Sequence, residues 1–287
     1  MFQNLVTGAI ANVAIAIVNV VLLVFNTSMV DTSNPAADLA NYTLTFYDDF
    51  DDGWVNTDLW NTPAQNGIRK GGYWSMNQCT ERDGNLVIKT EYKEDGEFGP
   101  GWYTGSLLSI ATFEQAFGYY ECRCILPKGQ GLWSAFWINC EGTGKVNGTG
   151  ELGSEIDVFE SPFGYLPGKS GWKITSNLHY NGYSLQTRYK NVGIFALDNN
   201  PYENFNTYSV LWTPDEYIFF INGHEVGRSD FGGVSKVPEY MVLSCEVDGA
   251  AGKPIPGWSG DIRFNKEGRN FTSEFIVDYV RVYAPAA

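Results

Sequence analysis

From residue 41 onward the chain is divided into short runs of β-branched and aromatic residues, each closed by Gly, Asn, Asp or Pro. No stretch after residue 40 shows the apolar period of a long amphipathic helix, and no internal repeat is visible. Gly118–Ile125 and Tyr217–Ile221 are two such runs. The second is followed by Asn222-Gly223, a pair suited to a two-residue hairpin turn, so a return strand is predicted from near Glu225. With 287 residues, 44% hydrophobic and 15% aromatic, the chain has apolar surface for one sizeable core. These features predict an all-β fold, a two-sheet antiparallel β-sandwich of jelly-roll type, each sheet burying one face against the other.

One run is unusual for a strand of this kind. Ser154-Glu155-Ile156-Asp157-Val158-Phe159-Glu160 carries three carboxylates in an otherwise apolar segment. Side chains alternate along a strand, so Glu155 and Asp157 share a face, Ile156 and Val158 share the other, and Glu160 has the wrong parity. A β-bulge around Val158 or Phe159 returns Glu160 to the face of the other two acids. The backbones of Glu155 and Glu160 then lie about 13 Å apart, so both side chains must lean inward over a curved sheet. Like charges on one face are costly unless their surroundings separate their pKa values. Glycoside hydrolysis uses that separation, with one carboxylate ionised as nucleophile and another protonated as general acid. Taken alone, the run also reads as a solvated acidic face or a calcium site.

The neighbouring segments carry a family resemblance. Glu155-Ile156-Asp157-Val158-Phe159-Glu160 resembles the E-I-D-x-x-E signature of glycoside hydrolase family 16, the laminarinase and agarase group. Leu126 to Trp137 is similar to that family's L-P-x-G-x-G-x-W-x-A-F-W segment. Asn177-Leu178-His179-Tyr180, Phe205 to Tyr208 with Leu211 to Asp215, and Val277 to Tyr283 follow in the family's order, so the resemblance runs from about Asn41 to Tyr283. It implies a concanavalin-like jelly roll and a retaining double displacement, with Glu155 as nucleophile, Glu160 as acid/base and Asp157 as the assisting carboxylate. Lichenases and xyloglucan transglycosylases resemble the regular E-x-D-x-E spacing, whereas laminarinases, agarases and carrageenases resemble the bulged one present here.

Sugar rings pack their C–H faces on aromatic rings, so a glycan cleft combines aromatic platforms with polar edges. Trp133 and Trp137 are four apart and share a strand face, which makes them candidates for the cleft as well as for the core. Arg69 and Tyr73 sit where the resemblance implies a cleft rim; Trp74, Trp102 and Tyr103 are further aromatic candidates. His179 matches a family histidine that reaches the cleft, and a buried, satisfied histidine is the competing reading. With only His179 and His224 in the chain, a His-rich zinc site and a serine triad are both disfavoured, and no Gly-x-Ser-x-Gly elbow is present. Catalysis is expected to need no cofactor. The resemblance implies a structural calcium, for which Asp49 and Asp278 are the matching acids, with ordinary surface acids as the alternative. The five cysteines form no recognisable disulfide framework and read as buried free thiols.

A net charge of −14 excludes a nucleic-acid partner and favours a neutral glucan over a sulfated one, although Arg69-Lys70 and Lys169 to Lys173 are local basic clusters. Leu5 to Phe25 is uncharged and long enough to cross a bilayer, but Asn12 and Asn19 interrupt it and no basic residue precedes it. Residues 1–25 are expected to be an export signal or membrane anchor, 26–40 a polar linker, and 41–287 the catalytic domain. The expectation is an extracellular or surface-anchored, monomeric endo-β-1,3(4)-glucanase. A β-galactan hydrolase of agarase type is the alternative enzyme. A lectin-like glycan-binding module is the alternative of another class, and it has no use for three acids on one strand.

Overall fold

The computed structural model describes residues 27–62, 68–249 and 258–286. Two sheets make the sandwich. The smaller has seven strands, ordered Thr27–Met29, Arg188–Ala196, Lys173–Tyr180, Glu155–Ser161, Leu132–Asn139, Tyr240–Val247 and Ser106–Leu108. The larger has eleven, with Gly118–Ile125 and Thr272–Pro285 near its middle. The ladders are antiparallel except for two short parallel pairings, Thr27–Met29 with Arg188–Ala196 and Gly72–Trp74 with Gly101–Thr104.

Alternation along the strands builds the core. Phe136, Ile138, Ile156, Phe159 and Leu178 point inward from the smaller sheet, and Tyr120, Cys122, Cys124, Tyr208 and Phe275 meet them from the larger. Phe159 is the central contact, with its ring 4.5 Å from that of Tyr208 and 6.2 Å from that of Phe275. Burying a side chain of this size contributes about 1.5–3 kcal/mol. The predicted hairpin is present: Asn222 and Gly223 have φ of 51° and 80°, and the return strand starts at His224.

The bulge is also present. Phe136 pairs with Phe159 and Trp137 with Asp157, which leaves Val158 without a partner on that side. Val158 and Phe159 both turn into the core, and Glu160 regains the outward face of Asp157. The hydroxyl of Ser176 donates to the carbonyl of Val158 at 2.8 Å and so satisfies a backbone acceptor that the bulge removes from the ladder.

The segment expected to be a linker is docked on the sandwich from residue 27. Thr27–Met29 adds a strand to the edge at Arg188–Ala196, Val30 N–H donates to the Ala196 carbonyl, and Glu225 N–H donates to that of Pro35. The cause is the open edge, whose unpaired backbone groups accept any neighbouring extended chain. The hydrophobic run Leu5 to Phe25 lies outside the described residues; among those described, no helix is long and apolar enough to cross a membrane. All five cysteines are free, and only Cys140 is not fully buried.

Candidate active site

The outer face of the smaller sheet carries the acids. Strand register lays them in rows: Asp157 is opposite Trp137, Glu160 is opposite Ala135, and Ala135 is opposite Ser244. Above these rows lies a cavity of about 380 Å³ whose walls include Glu155, Asp157, Glu160, Trp133, Trp137, Arg69 and Glu246.

Each acid has a distinct environment. Glu155 Oε2 accepts a 2.5 Å hydrogen bond from the Tyr183 hydroxyl, which itself accepts from Asn139 Nδ2 at 2.8 Å. Asp157 is buried, and its Oδ2 has no hydrogen-bond partner. Burial, reinforced by the charge of Glu155, pushes its carboxyl well above the usual range. Burial does the same to Glu160, with the charge of Asp157 adding to it, while a hydrogen bond from Asn177 Nδ2 pulls the other way. Asn177 is held in turn by Asn191 Nδ2 at 2.8 Å. Both carboxyls are thus pushed toward their neutral forms, which eases the like-charge conflict in the run.

His179 is paired in register with Glu155; its Nε2 lies 3.4 Å from Asp157 Oδ2 and 3.9 Å from Glu155 Oε1, and its ring packs at a tilt against that of Tyr189, 5.0 Å between centroids. Glu155, Asp157 and His179 bring ligand-type atoms within 4.8 Å of one another.

Trp133 and Trp137 are half-buried at the cavity, and Trp137 Nε1 donates to Ser244 Oγ at 3.1 Å. Arg69 binds Glu246 Oε1 at 2.8 Å and lies over the Trp74 ring at 4.8 Å; Lys70 lies over Trp133 at 4.8 Å. Tyr73 is not brought to this cavity. It packs against Tyr103 and Phe98 at 5.0 and 5.6 Å, because it and Trp74 occupy opposite faces of one short strand. Trp102 and Tyr103 are buried. Asp278 Oδ2 is bound by Arg123 at 2.5 Å and Asp49 Oδ1 by Arg281 at 2.8 Å, so one oxygen of each acid that the resemblance offered for calcium is engaged by a guanidinium group.

Sequence reading missed Asn177, Tyr183, Asn139, Glu246 and Trp258, whose ring meets that of Trp133 edge-on at 5.0 Å. Asn177 was within reach, since it is two residues before His179 and shares its face. Nothing local marks the others.

Glu239 lies behind the acidic strand. Its Oε1 accepts from Ser154 N–H at 3.0 Å, Ser235 Oγ at 2.5 Å and Cys140 Sγ at 3.7 Å, while Oε2 is buried without a partner. Burial pushes this carboxyl up from 4.5 to about 8. The folded state therefore holds an extra proton between those values, and the associated stability, complete below about 4.5, is lost as pH rises through about 8. Glu239→Gln mimics the protonated form. It is expected to flatten the fall in Tm between pH 5 and pH 9, measured by circular dichroism; an unchanged slope would show that Glu239 does not hold that proton.

The family model of glycosyl hydrolases family 16 matches residues 69–243. The chain is 27% identical over 186 residues to endo-1,3-1,4-β-glycanase ExsH of Rhizobium meliloti, a match covering 65% of this chain and 34% of that protein. It is 27% identical over 214 residues to endo-1,3-1,4-β-glycanase EglC of the same organism, covering 73% and 40%. The chain thus matches well under half the length of these two relatives. Among solved structures, the catalytic domain of an endo-1,3-β-glucanase (laminarinase) from Thermotoga petrophila superposes with a TM-score of 0.68 at 23% identity, over 86% of this chain and 99% of that one. That likeness shows the sandwich fold.

Proposed function

The chain belongs to glycosyl hydrolases family 16, and from that premise we propose that it is a retaining endo-β-1,3(4)-glucanase acting on laminarin-type or mixed-linkage β-glucan. The observation that carries this reading is the electrostatic asymmetry of the acidic strand. Burial raises the Glu160 carboxyl well above its usual range in the same cavity where Glu155 is held by Tyr183, which favours the proton that a double displacement needs on its acid. Glu155 attacks the anomeric carbon while Glu160 gives its proton to the leaving oxygen. Water then enters, Glu160 takes a proton from it, and the hydroxide released into that bond-forming step displaces Glu155. Asp157, whose carboxyl burial pushes up, stands beside Glu155 and assists it by holding its charge state and geometry. Trp133 and Trp137 supply apolar platforms for the sugar rings, and His179 braces the Glu155–Asp157 pair.

The neutral glucan is supported by the names of the relatives and by the cleft itself, where Glu246 binds Arg69 and faces Lys70, leaving little free positive charge for a sulfated galactan. Residues 41–287 form the catalytic unit in this reading, with the Thr27–Met29 strand docked on it. The uncharged run Leu5 to Phe25 supports placement outside the cell or at its surface. Product analysis on laminarin, mixed-linkage glucan, agarose and carrageenan tests the substrate. Oligosaccharides are expected from the first two alone; release from the galactans instead would overturn the glucan while keeping the mechanism.

A further inference from the structure

The acidic strand is gripped at its first residue from the side away from the cleft. Register pairs Ile138 with both Ile156 and Met241, and Asn139 with Tyr240. One step farther along, Cys140, Ser154 and Glu239 form the next row, at the ends of three adjacent strands. Asn139 and Glu155 both line the catalytic cavity, so alternation assigns the side chains of Cys140, Ser154 and Glu239 to the opposite side of the sheet. Glu239 is 0% exposed and therefore cannot meet a sugar.

Its carboxyl nevertheless holds both segments that place the nucleophile. Oε1 accepts from the N–H of Ser154, the residue before Glu155, and from the thiol of Cys140, the residue after Asn139. Asn139 donates to the Tyr183 hydroxyl, and Tyr183 donates to Glu155. Glu239 thus reaches Glu155 by two routes, one through the strand backbone and one through the Asn139–Tyr183 hydrogen bonds. Ser235 Oγ, at 2.5 Å, aims the carboxyl. The two segments are pressed together without slack: a Cβ on Gly142 would lie 1.8 Å from the Leu152 carbonyl oxygen, and one on Gly153 would lie 2.5 Å from Cys140 Sγ. A buried acceptor shared by segments this close sets their spacing, because displacing either one leaves a buried donor unpaired.

We propose that Glu239 is a positioning residue for the nucleophile, aligning Glu155 with the anomeric carbon by fixing Ser154 and Cys140 in one row without touching the substrate. This deepens the glucanase reading and rests on it. The nucleophile works only within a narrow range of distance and angle, and a misplacement of about 1 Å costs about 10²-fold in rate.

The test is kcat/KM for phenol release from an aryl β-glucoside oligomer with an acidic phenol as leaving group. This quantity reports the first step, which depends on Glu155 and needs no proton from Glu160. Glu239→Asp draws the carboxyl back by about 1.5 Å and is expected to lower it about 10²-fold. The Kd for laminarin, read from quenching of tryptophan fluorescence, is expected to stay at the wild-type value. Glu239→Gln keeps the length and an oxygen that accepts from Ser154, and is expected to stay within about threefold of wild type. Ser235→Ala removes one donor that aims the carboxyl and is expected to lower kcat/KM about tenfold; it carries the comparison should Glu239→Asp not fold. Wild-type rates in Glu239→Asp and Ser235→Ala, or a Glu239→Gln as slow as Glu239→Asp, would overturn the positioning role and leave the glucanase intact. Loss of laminarin binding in step with the rate would also overturn it, by showing general damage to the cleft. Wild-type protein that releases no phenol and turns over no glucan would instead overturn the glucanase reading, and this role with it.

Discussion

Glu155→Gln is expected to lower kcat on β-glucan by about 10⁴-fold or more while the protein still folds and still binds the polysaccharide. The amide keeps an oxygen that can accept from Tyr183, so the loop held by that bond has no reason to move. What it loses is the capacity to form the covalent bond to the anomeric carbon. Removing the charge also relieves Asp157 and Glu160, whose carboxyls are both pushed up in part by Glu155. The variant is therefore expected to melt no lower than wild type, and the pKa of Asp157 is expected to fall. Steady-state rates, thermal melts and quenching of tryptophan fluorescence by laminarin measure the three consequences separately. Wild-type-like hydrolysis would remove Glu155 from the mechanism, whereas loss of binding together with loss of turnover would show that the substitution had damaged the cleft and not the chemistry alone.

The architecture and the acid set were readable in the sequence because both rest on local periodicity. A period of two assigns Glu155 and Asp157 to one face, and the mismatch at Glu160 demands an extra residue, which Val158 supplies. Parity also placed Trp133 and Trp137 together at the cavity. It fails where strands are short. Gly72–Trp74 is three residues long, too short to show a pattern, and there Trp74 rather than Tyr73 reaches the cleft side. Nor does periodicity report contacts between distant segments. Tyr183 reaches Glu155 from a loop 28 positions downstream, and Trp74 is fastened to Cys245 from 171 positions away. The pairing of Asp278 with Arg123 and of Asp49 with Arg281 belongs to the same class, since an acid that matches a ligand position in sequence shows nothing of the cation already beside it. The Thr27–Met29 strand escaped for a different reason. Its polar composition suits a spacer, and only the open edge at Arg188–Ala196 makes it a strand.

Glu160→Gln is expected to separate the two halves of the reaction. On β-glucan, whose leaving oxygen needs a proton, kcat/KM is expected to fall about 10²- to 10⁴-fold, the usual worth of a positioned general acid. On an aryl β-glucoside oligomer with an acidic phenol as leaving group, no proton is needed, so the first step is expected to survive. The second step still lacks its base, and the variant should release a burst of phenol followed by slow turnover. The pH profile gives an independent sign. The wild-type general acid works only when protonated, so activity is lost as pH rises through the folded pKa, which burial and the charge of Asp157 hold above the usual carboxylate range. That alkaline limb is a property of the Asp157–Glu160 pair, whose titrations are linked by their separation along one strand face. In Glu160→Gln the limb for aryl-glycoside cleavage is expected to disappear, because its first step no longer consumes a proton from the enzyme. An unchanged alkaline limb in the variant would transfer the acid role to another group, with Asp157, buried beside the same cavity and its carboxyl also pushed up, the first to be replaced.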